Sequence, residues 1–198
     1  CGMLEDYAEV DKALADLNGN TAAFRLSEDK AHIEGISQTL ASTLIYGNEG
    51  STPEAFTGLA PRFNSKSAEN GQNIVDAGGS GSDNSSIWLC VWGDQTGHGI
   101  IPKGSKAGLQ MNDKGQVTIE NVDGNGGRME GYRTHYRMDA GLTIRDWRFF
   151  VRIANIDISA LTVDGTAADR ADARKALVEY MVMASERIPN FNKGRACW

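Results

Sequence analysis

Residues Gly131–Ile158 read GYRTHYRMDAGLTIRDWRFFVRIANIDI, and no other stretch constrains the fold as tightly. Even positions from Tyr132 to Ile144 carry Tyr, Thr, Tyr, Met, Ala, Leu and Ile, while the odd positions between them carry Arg133, His135, Arg137, Asp139, Gly141, Thr143 and Arg145. Alternation with period two marks a strand with one buried and one wet face. The run far exceeds the usual strand of about 5–6 residues. A strand of that reach is expected in a part built to touch neighbours, and nothing in it suggests catalysis. The first expectation is therefore mechanical, a building block.

The surroundings extend the pattern. Val117–Val122 reads as a strand, and Asp123-Gly-Asn-Gly-Gly turns the chain into the long one, so a hairpin is expected over 117–153. Past Ile144 the apolar positions become Trp147, Phe149, Val151 and Ile153, a change of parity that predicts a bulge at Arg145-Asp146. Ile87-Trp-Leu-Cys-Val-Trp is apolar on both faces and is expected in the interior of a sheet covered from both sides.

Three helices are expected. Leu4, Tyr7, Val10, Leu14 and Leu17 have helical spacing over Met3–Leu17, with Asn18-Gly19 as the stop. Ser27 reads as the N-cap of a helix to Tyr46, striped by Ile33, Ile36, Leu40 and Leu44 and ended by Gly47. After a turn at Asp164-Gly165, Thr166 and Asp169 form an approximate capping box for a third helix, striped by Leu177, Met181, Ala184 and Ile188 and ended by Pro189. Between the second helix and Gly81 the chain is rich in Gly, Ser, Asn and Pro. Phe56, Leu59, Phe63, Ile74 and Val75 recur there as anchors, so short elements in loops are expected rather than disorder. Ala77-Gly-Gly-Ser-Gly-Ser lacks the order of a P-loop or dinucleotide turn and reads as a connection.

Charge is unevenly distributed. The net value is −6, yet residues 1–55 hold ten acids against three bases, and residues 128–152 hold six Arg against three acids. This suits complementary surfaces meeting within or between subunits, and argues against a chain devoted to gripping nucleic acid. No apolar run approaches the ~18 residues of a membrane span. Cys1, Cys90 and Cys197 have no CxxC spacing and read as reduced thiols in an intracellular protein, with Cys90 a small buried hydrophobe. The first residue is Cys1 rather than Met, and Trp198 falls at an apparent strand start, so both ends read as cut from a longer protein.

Candidate chemistry is sparse. His32, His98 and His135 lack a second ligand at metal spacing, no Gly-x-Ser-x-Gly elbow is present, and neither a metal, a cofactor nor a catalytic set is expected. Lys103 and Lys106 suit either a bound phosphate or a solvated turn. Arg133, Arg137 and Arg145 are the candidate contact residues, toward a neighbour's carboxylates or nucleic acid, against the plainer reading of a wet strand face.

Several phrases, in order along nearly the whole chain, resemble major capsid proteins of tailed bacteriophages with the HK97-like fold. They include Asn20-Thr-Ala-Ala-Phe-Arg-Leu-Ser-Glu-Asp-Lys, Leu44-Ile-Tyr-Gly-Asn and Phe56-Thr-Gly-Leu-Ala-Pro-Arg-Phe-Asn. Further along stand Ile74-Val-Asp-Ala-Gly-Gly, Ser86-Ile-Trp-Leu-Cys-Val-Trp-Gly and His98-Gly-Ile-Ile-Pro-Lys-Gly-Ser-Lys-Ala-Gly-Leu. Tyr132-Arg-Thr-His-Tyr, Ala140-Gly-Leu-Thr-Ile-Arg-Asp-Trp-Arg and Val151-Arg-Ile-Ala-Asn-Ile-Asp complete the set.

The resemblance implies an α+β fold with a long spine helix, 27–46, packed on the long hairpin in a peripheral domain formed by 1–55 and 94–155. A mixed axial domain would comprise 56–93 and 156–198, incomplete at its C-terminal end. It implies a non-enzymatic subunit that assembles with itself into pentamers and hexamers of an icosahedral shell around double-stranded DNA. Scaffolding or decoration proteins would be further partners, with no membrane involved, and the virion would be assembled in the host bacterial cytoplasm. Family members carry an N-terminal arm and an extended loop before the position of Cys1, so the chain alone is expected not to close shells. An encapsulin-type compartment shell is the related alternative; a ligand-binding or enzymatic α+β domain, needing a concave site with converging polar groups, is the one from another class.

Overall fold

In a computed structural model that describes residues 1–17, 19, 21–120, 124–162 and 165–198, the alternating stretch forms a 17-residue strand, Arg128–Ile144. In chain order the elements are β1 (Gly2–Asp11), α1 (Lys12–Asp16), α2 (Thr21–Tyr46), α3 (Leu59–Arg62), β2 (Ile74–Asp76), β3 (Asn84–Trp92), β4 (Gly97–Ile100), β5 (Gln110–Glu120) and β6 (Arg128–Ile144). They continue as β7 (Phe150–Asp157), α4 (Ile158–Thr162), α5 (Ala167–Glu186) and β8 (Arg195–Cys197), with 3-10 turns at Glu69–Asn73, Trp147–Phe149 and Phe191–Lys193. Helices and two sheets together make an α+β protein. The expected stop at Asn18, the strand end at 121–122, the turn residue Asp123 and the turn residue Asp164 lie outside the described residues.

The chain divides into two units, Cys1–Leu59 with Ile100–Leu142, and Ala60–Gly99 with Thr143–Trp198. In the first, β6 pairs antiparallel with both β1 and β5. β1 pairs from Gly2↔Ala140 to Asp11↔Gly131, and β5 pairs from Gln110↔Arg137 to Glu120↔Arg128, with a bulge between Asp113 and Gly115. One face of this sheet is buried against α2: Ala8, Tyr136 and Ile36 form the core there, with Leu4 and Ile33 packed on it.

β1 corrects an expectation. Leu4, Tyr7 and Val10 suit a helix, but the same residues alternate, with Ala8 and Val10 buried and Met3, Glu5, Tyr7 and Glu9 exposed. Ten paired positions on β6 decide between the two periods, leaving only Lys12–Asp16 helical, with the Asp11 carboxylate capping the Ala13 and Leu14 amides.

α2 also begins earlier than expected, so Ser27 lies inside it and caps nothing. Its first turns are anchored by Arg25, whose guanidinium donates to both Asp113 oxygens on β5 at 3.1 and 2.6 Å and to Thr134 Oγ1 at 3.1 Å. At the standard rise, 26 residues make a helix about 39 Å long. Gly47 follows it as expected, and close approach demands the glycine: a Cβ there would run into the carbonyl oxygens of Phe56 and Thr43.

The second unit holds a sheet in the order β2-β7-β3-β8, with β2 parallel to β7 and the other pairs antiparallel. β3 is interior, as its apolar faces require, and Leu89, Cys90 and Val91 are buried. The anchors expected after Gly50 are all buried as well: Phe56 and Leu59 in the first unit, Phe63, Ile74 and Val75 in the second.

The parity change after Ile144 is not a bulge within one strand. β6 ends, the Thr96 carbonyl accepts the amides of Arg145 and Asp146 at 2.8 and 3.0 Å, and a 3-10 turn capped by the Asp146 side chain leads into β7. Phe150, Val151, Ile153, Ala154 and Ile156 on β7 are buried, so the strand belongs between β2 and β3. The expected hairpin therefore ends at Ile144 rather than Ile153. The chain enters the second unit at Thr143, ahead of the boundary expected at 155, and the other crossings lie at Leu59/Ala60 and Gly99/Ile100. α5 carries the expected capping box, with Thr166 Oγ1 accepting from the Asp169 amide and Asp169 accepting from the Thr166 amide at 2.7 Å.

Candidate functional site

The face of β1 and β6 that turns away from α2 carries the charged side chains expected of the long strand. Register places Glu9 opposite Arg133, Tyr7 opposite His135 and Glu5 opposite Arg137. Arg133 donates through Nε to Glu9 Oε1 at 2.6 Å. His135 Nε2 lies 2.6 Å from Glu5 Oε1, one step along the diagonal, and its ring stacks on Tyr7 at 4.5 Å with the planes 15° apart. Tyr7 Oη donates to Glu5 Oε1 at 3.0 Å. That bond, and then His135, hold the Glu5 carboxyl below its ordinary range, and the bond to Glu5 pushes the Tyr7 phenol up.

Arg137 is the most exposed member of this row. Its guanidinium reaches Asp139 at 3.2 and 3.3 Å on its own strand, and Asp139 also accepts from Ser105 Oγ. The Ser105 bond, with Arg137 beside it, keeps the buried Asp139 carboxyl low. Asp139 thus departs from the wet odd face on which its parity placed it. The loop Pro102–Lys106 turns over this point, and Lys103, Ser105, Lys106, Gln110, Arg137 and Asp139 line a recess of about 450 Å³. Among the described residues, neither lysine ammonium has an ion-pair partner. Three cations from two distant segments therefore line one recess, Arg137 bound to the buried Asp139 and the two lysines available to an anion.

Arg145 is not part of the same row. It lies past the end of β6, in the second unit, with its side chain exposed. The structure thus joins Arg137 with Lys103 and Lys106, ties Arg133 to Glu9, and assigns Arg145 to the second unit. Sequence reasoning missed Glu5, Tyr7 and Glu9 because β1 read as a helix; the Met3, Glu5, Tyr7, Glu9 alternation was the signal that could have found them.

On the opposite face, His32 Nδ1 lies 2.7 Å from Asp6 Oδ2, linking α2 to β1. At the α2 end of the same unit, Met3, Leu4, Leu40, Ala55, Phe56 and Ala140 are among the lining of an apolar cavity of about 250 Å³. Among the described residues, no group of three His, Cys, Asp or Glu side chains is placed to hold a metal ion, and no helix is long and apolar enough to cross a membrane.

The whole chain, residues 1–198, matches the model of the family described as major capsid protein GP7. No curated protein matches it. Among solved structures, it is similar to a chain of the near-atomic-resolution structure of bacteriophage Epsilon15, with 41% identity over 88% of this chain and 54% of that one, at a TM-score of 0.56. The chain therefore spans about half the length of that relative.

Proposed function

Because the chain belongs to the major capsid protein GP7 family, we propose that it is a structural subunit of a bacteriophage shell with an HK97-like fold. The first unit corresponds to the peripheral domain and the second to the axial domain. Subunits assemble into pentamers and hexamers that close an icosahedral shell around double-stranded DNA, held without sequence preference. Scaffolding or decoration proteins are further partners. The shell forms in the host bacterial cytoplasm and resides in the virion, and the subunit performs no catalytic step. Beyond the family match, the reading is supported most directly by α2, a 26-residue helix laid against a sheet built on a 17-residue strand. Extended elements of this kind suit wide contacts between copies better than a closed pocket does.

Contact between neighbours falls to the cations left without carboxylates of their own. Lys103 and Lys106 form one such patch, beside the Arg137–Asp139 pair, and Arg145 adds a point on the second unit. Carboxylates of a neighbouring subunit are the matching groups, because residues 1–55 carry an excess of acid. Arg133, paired with Glu9, serves the sheet instead.

The test is light scattering with electron microscopy on a chain of the full family length. Megadalton closed particles are the expected outcome. A protein that stays monomeric at every concentration, with and without a scaffolding partner, would overturn the reading.

A further inference from the structure

Two of the three cysteines, far apart in sequence, meet across a sheet edge. β8 pairs antiparallel with β3 in the register Cys90↔Cys197, Val91↔Ala196, Trp92↔Arg195. Directly opposed residues of an antiparallel pair have Cα atoms about 4.5–5.5 Å apart and project side chains to the same face. A disulfide spans Cα separations of about 4.4–6.8 Å. Cys90 is buried on the interior strand, Cys197 is exposed on the edge strand, and both are free thiols.

We propose that Cys90 and Cys197 form a cross-strand disulfide under oxidising conditions, a covalent staple fastening β8 to the sheet of the second unit. The oxidant is a low-molecular-weight disulfide of the glutathione class. In the first step the exposed Cys197 thiolate attacks one sulfur of that disulfide. A mixed disulfide forms on Cys197, and one small thiolate leaves and takes up a proton. In the second step the Cys90 thiol gives its proton to solvent and its sulfur attacks the Cys197 sulfur, expelling the second small thiolate. Two protein thiols are thereby oxidised, and one external disulfide is reduced to two thiols.

The difference in exposure sets the order of the steps, because only Cys197 meets the oxidant from solvent. Burial pushes the Cys90 thiol up to about 12, so the second step is the slower one and quickens as pH rises. β8 is a strand of three residues, all exposed, with little packing of its own, so a staple at Cys197 changes its attachment more than any single side-chain contact would. The closed loop runs from β3 through β6 and α5 to β8, a long loop of the kind whose closure most restricts the unfolded chain.

The test uses the protein in a Cys1→Ser background, incubated with glutathione disulfide at mildly alkaline pH. Thiols are then counted after denaturation and peptides mapped without reduction. The expected result is loss of both remaining thiols, a linked peptide joining Cys90 to Cys197, no glutathione retained, and reversal by dithiothreitol. A second variant, Cys197→Ser, is expected to leave Cys90 unreactive while folded, because the exposed partner that starts the exchange is gone. Stable glutathione on Cys197 with Cys90 still free, or a covalent dimer through Cys197, would overturn the proposal.

Discussion

Tyr136 Oη donates a hydrogen bond to Asp29 Oδ2 at 2.9 Å, joining β6 to α2 by a bond buried at both ends. Asp29 is one of the few charged side chains enclosed among the described residues, and this phenol is its partner from the sheet. Replacing Tyr136 by Phe keeps the ring and removes the donor. Leaving a buried acceptor short of its partner costs about 1–3 kcal/mol. Chemical denaturation of Tyr136→Phe should show a loss in that range; no change would show that the seam is held by apolar packing alone.

The same residue sets an alkaline limit. Burial, and then the bond to Asp29, push the Tyr136 phenol up to about 12 from an ordinary value of 10.0. Above pH 10 the unfolded chain releases this proton while the folded chain keeps it, so the unfolded state gains. The contribution is complete below pH 10 and disappears as pH rises toward about 12. A thermal midpoint measured against pH should fall over that window, and Tyr136→Phe should fall less steeply.

Glu5 gives the opposite sign at the acid end. Its carboxyl is held low by Tyr7 and then His135, so it stabilises the fold above the ordinary carboxylate range and loses that contribution as pH falls through its lowered folded value. Glu5→Gln should be slightly less stable near neutrality and should converge with the parent in acid. Parallel curves at all pH values would remove Glu5 from the account.

Arg133 and Arg145 test the division between structural charge and proposed contact charge. Arg133→Glu sets a carboxylate against Glu9 and should cost about 1 kcal/mol of fold stability. Among the described residues Arg145 has no carboxylate partner, so Arg145→Glu should stay within about 0.5 kcal/mol of the parent. If both variants shift the thermal midpoint alike, the distinction fails.

Charge reversal in the recess lined by Lys103 and Lys106 tests the proposed contact with a neighbour. Lys103→Glu with Lys106→Glu, in a chain of full family length, should abolish closed particles while leaving the thermal midpoint of the unassembled subunit nearly unchanged. Normal particles in electron micrographs would place the contact elsewhere.

Gly47 is a position where space rather than backbone torsion demands glycine. Gly47→Ala sets a methyl group against the Phe56 and Thr43 carbonyls and should destabilise by about 1–3 kcal/mol, read by denaturant titration.

Elements whose local chemistry and packing agree were legible. The β6 alternation as far as Arg137, the Thr166–Asp169 capping box and the apolar run inside β3 each meet the environment their pattern calls for. β1 was not legible, because Leu4, Tyr7 and Val10 satisfy a helical period while Leu4, Ala8 and Val10 satisfy a strand period. The choice was made by β6, far along the chain. The turn at Trp147–Phe149 escaped for a related reason: a parity change looks the same whether one strand bulges or two strands meet at a 3-10 turn. At the candidate site, the arginines could be read as wet. Their partners could not, since Arg133 and Glu9 are 124 positions apart and the Lys103–Lys106 loop meets Arg137 only once β5 has paired with β6.

Each of the two units is assembled from two separated stretches of chain, and this has a consequence during synthesis. Residues 1–59 leave the ribosome carrying β1 and α2 but without β6, so the apolar side of that pair has nothing to close against until residue 142 has emerged. Residues 60–99 wait in the same way for β7 and α5. The nascent protein must therefore hold two unfinished cores at once, and its exposure to aggregation and to chaperones is greatest in the interval before β6 is complete.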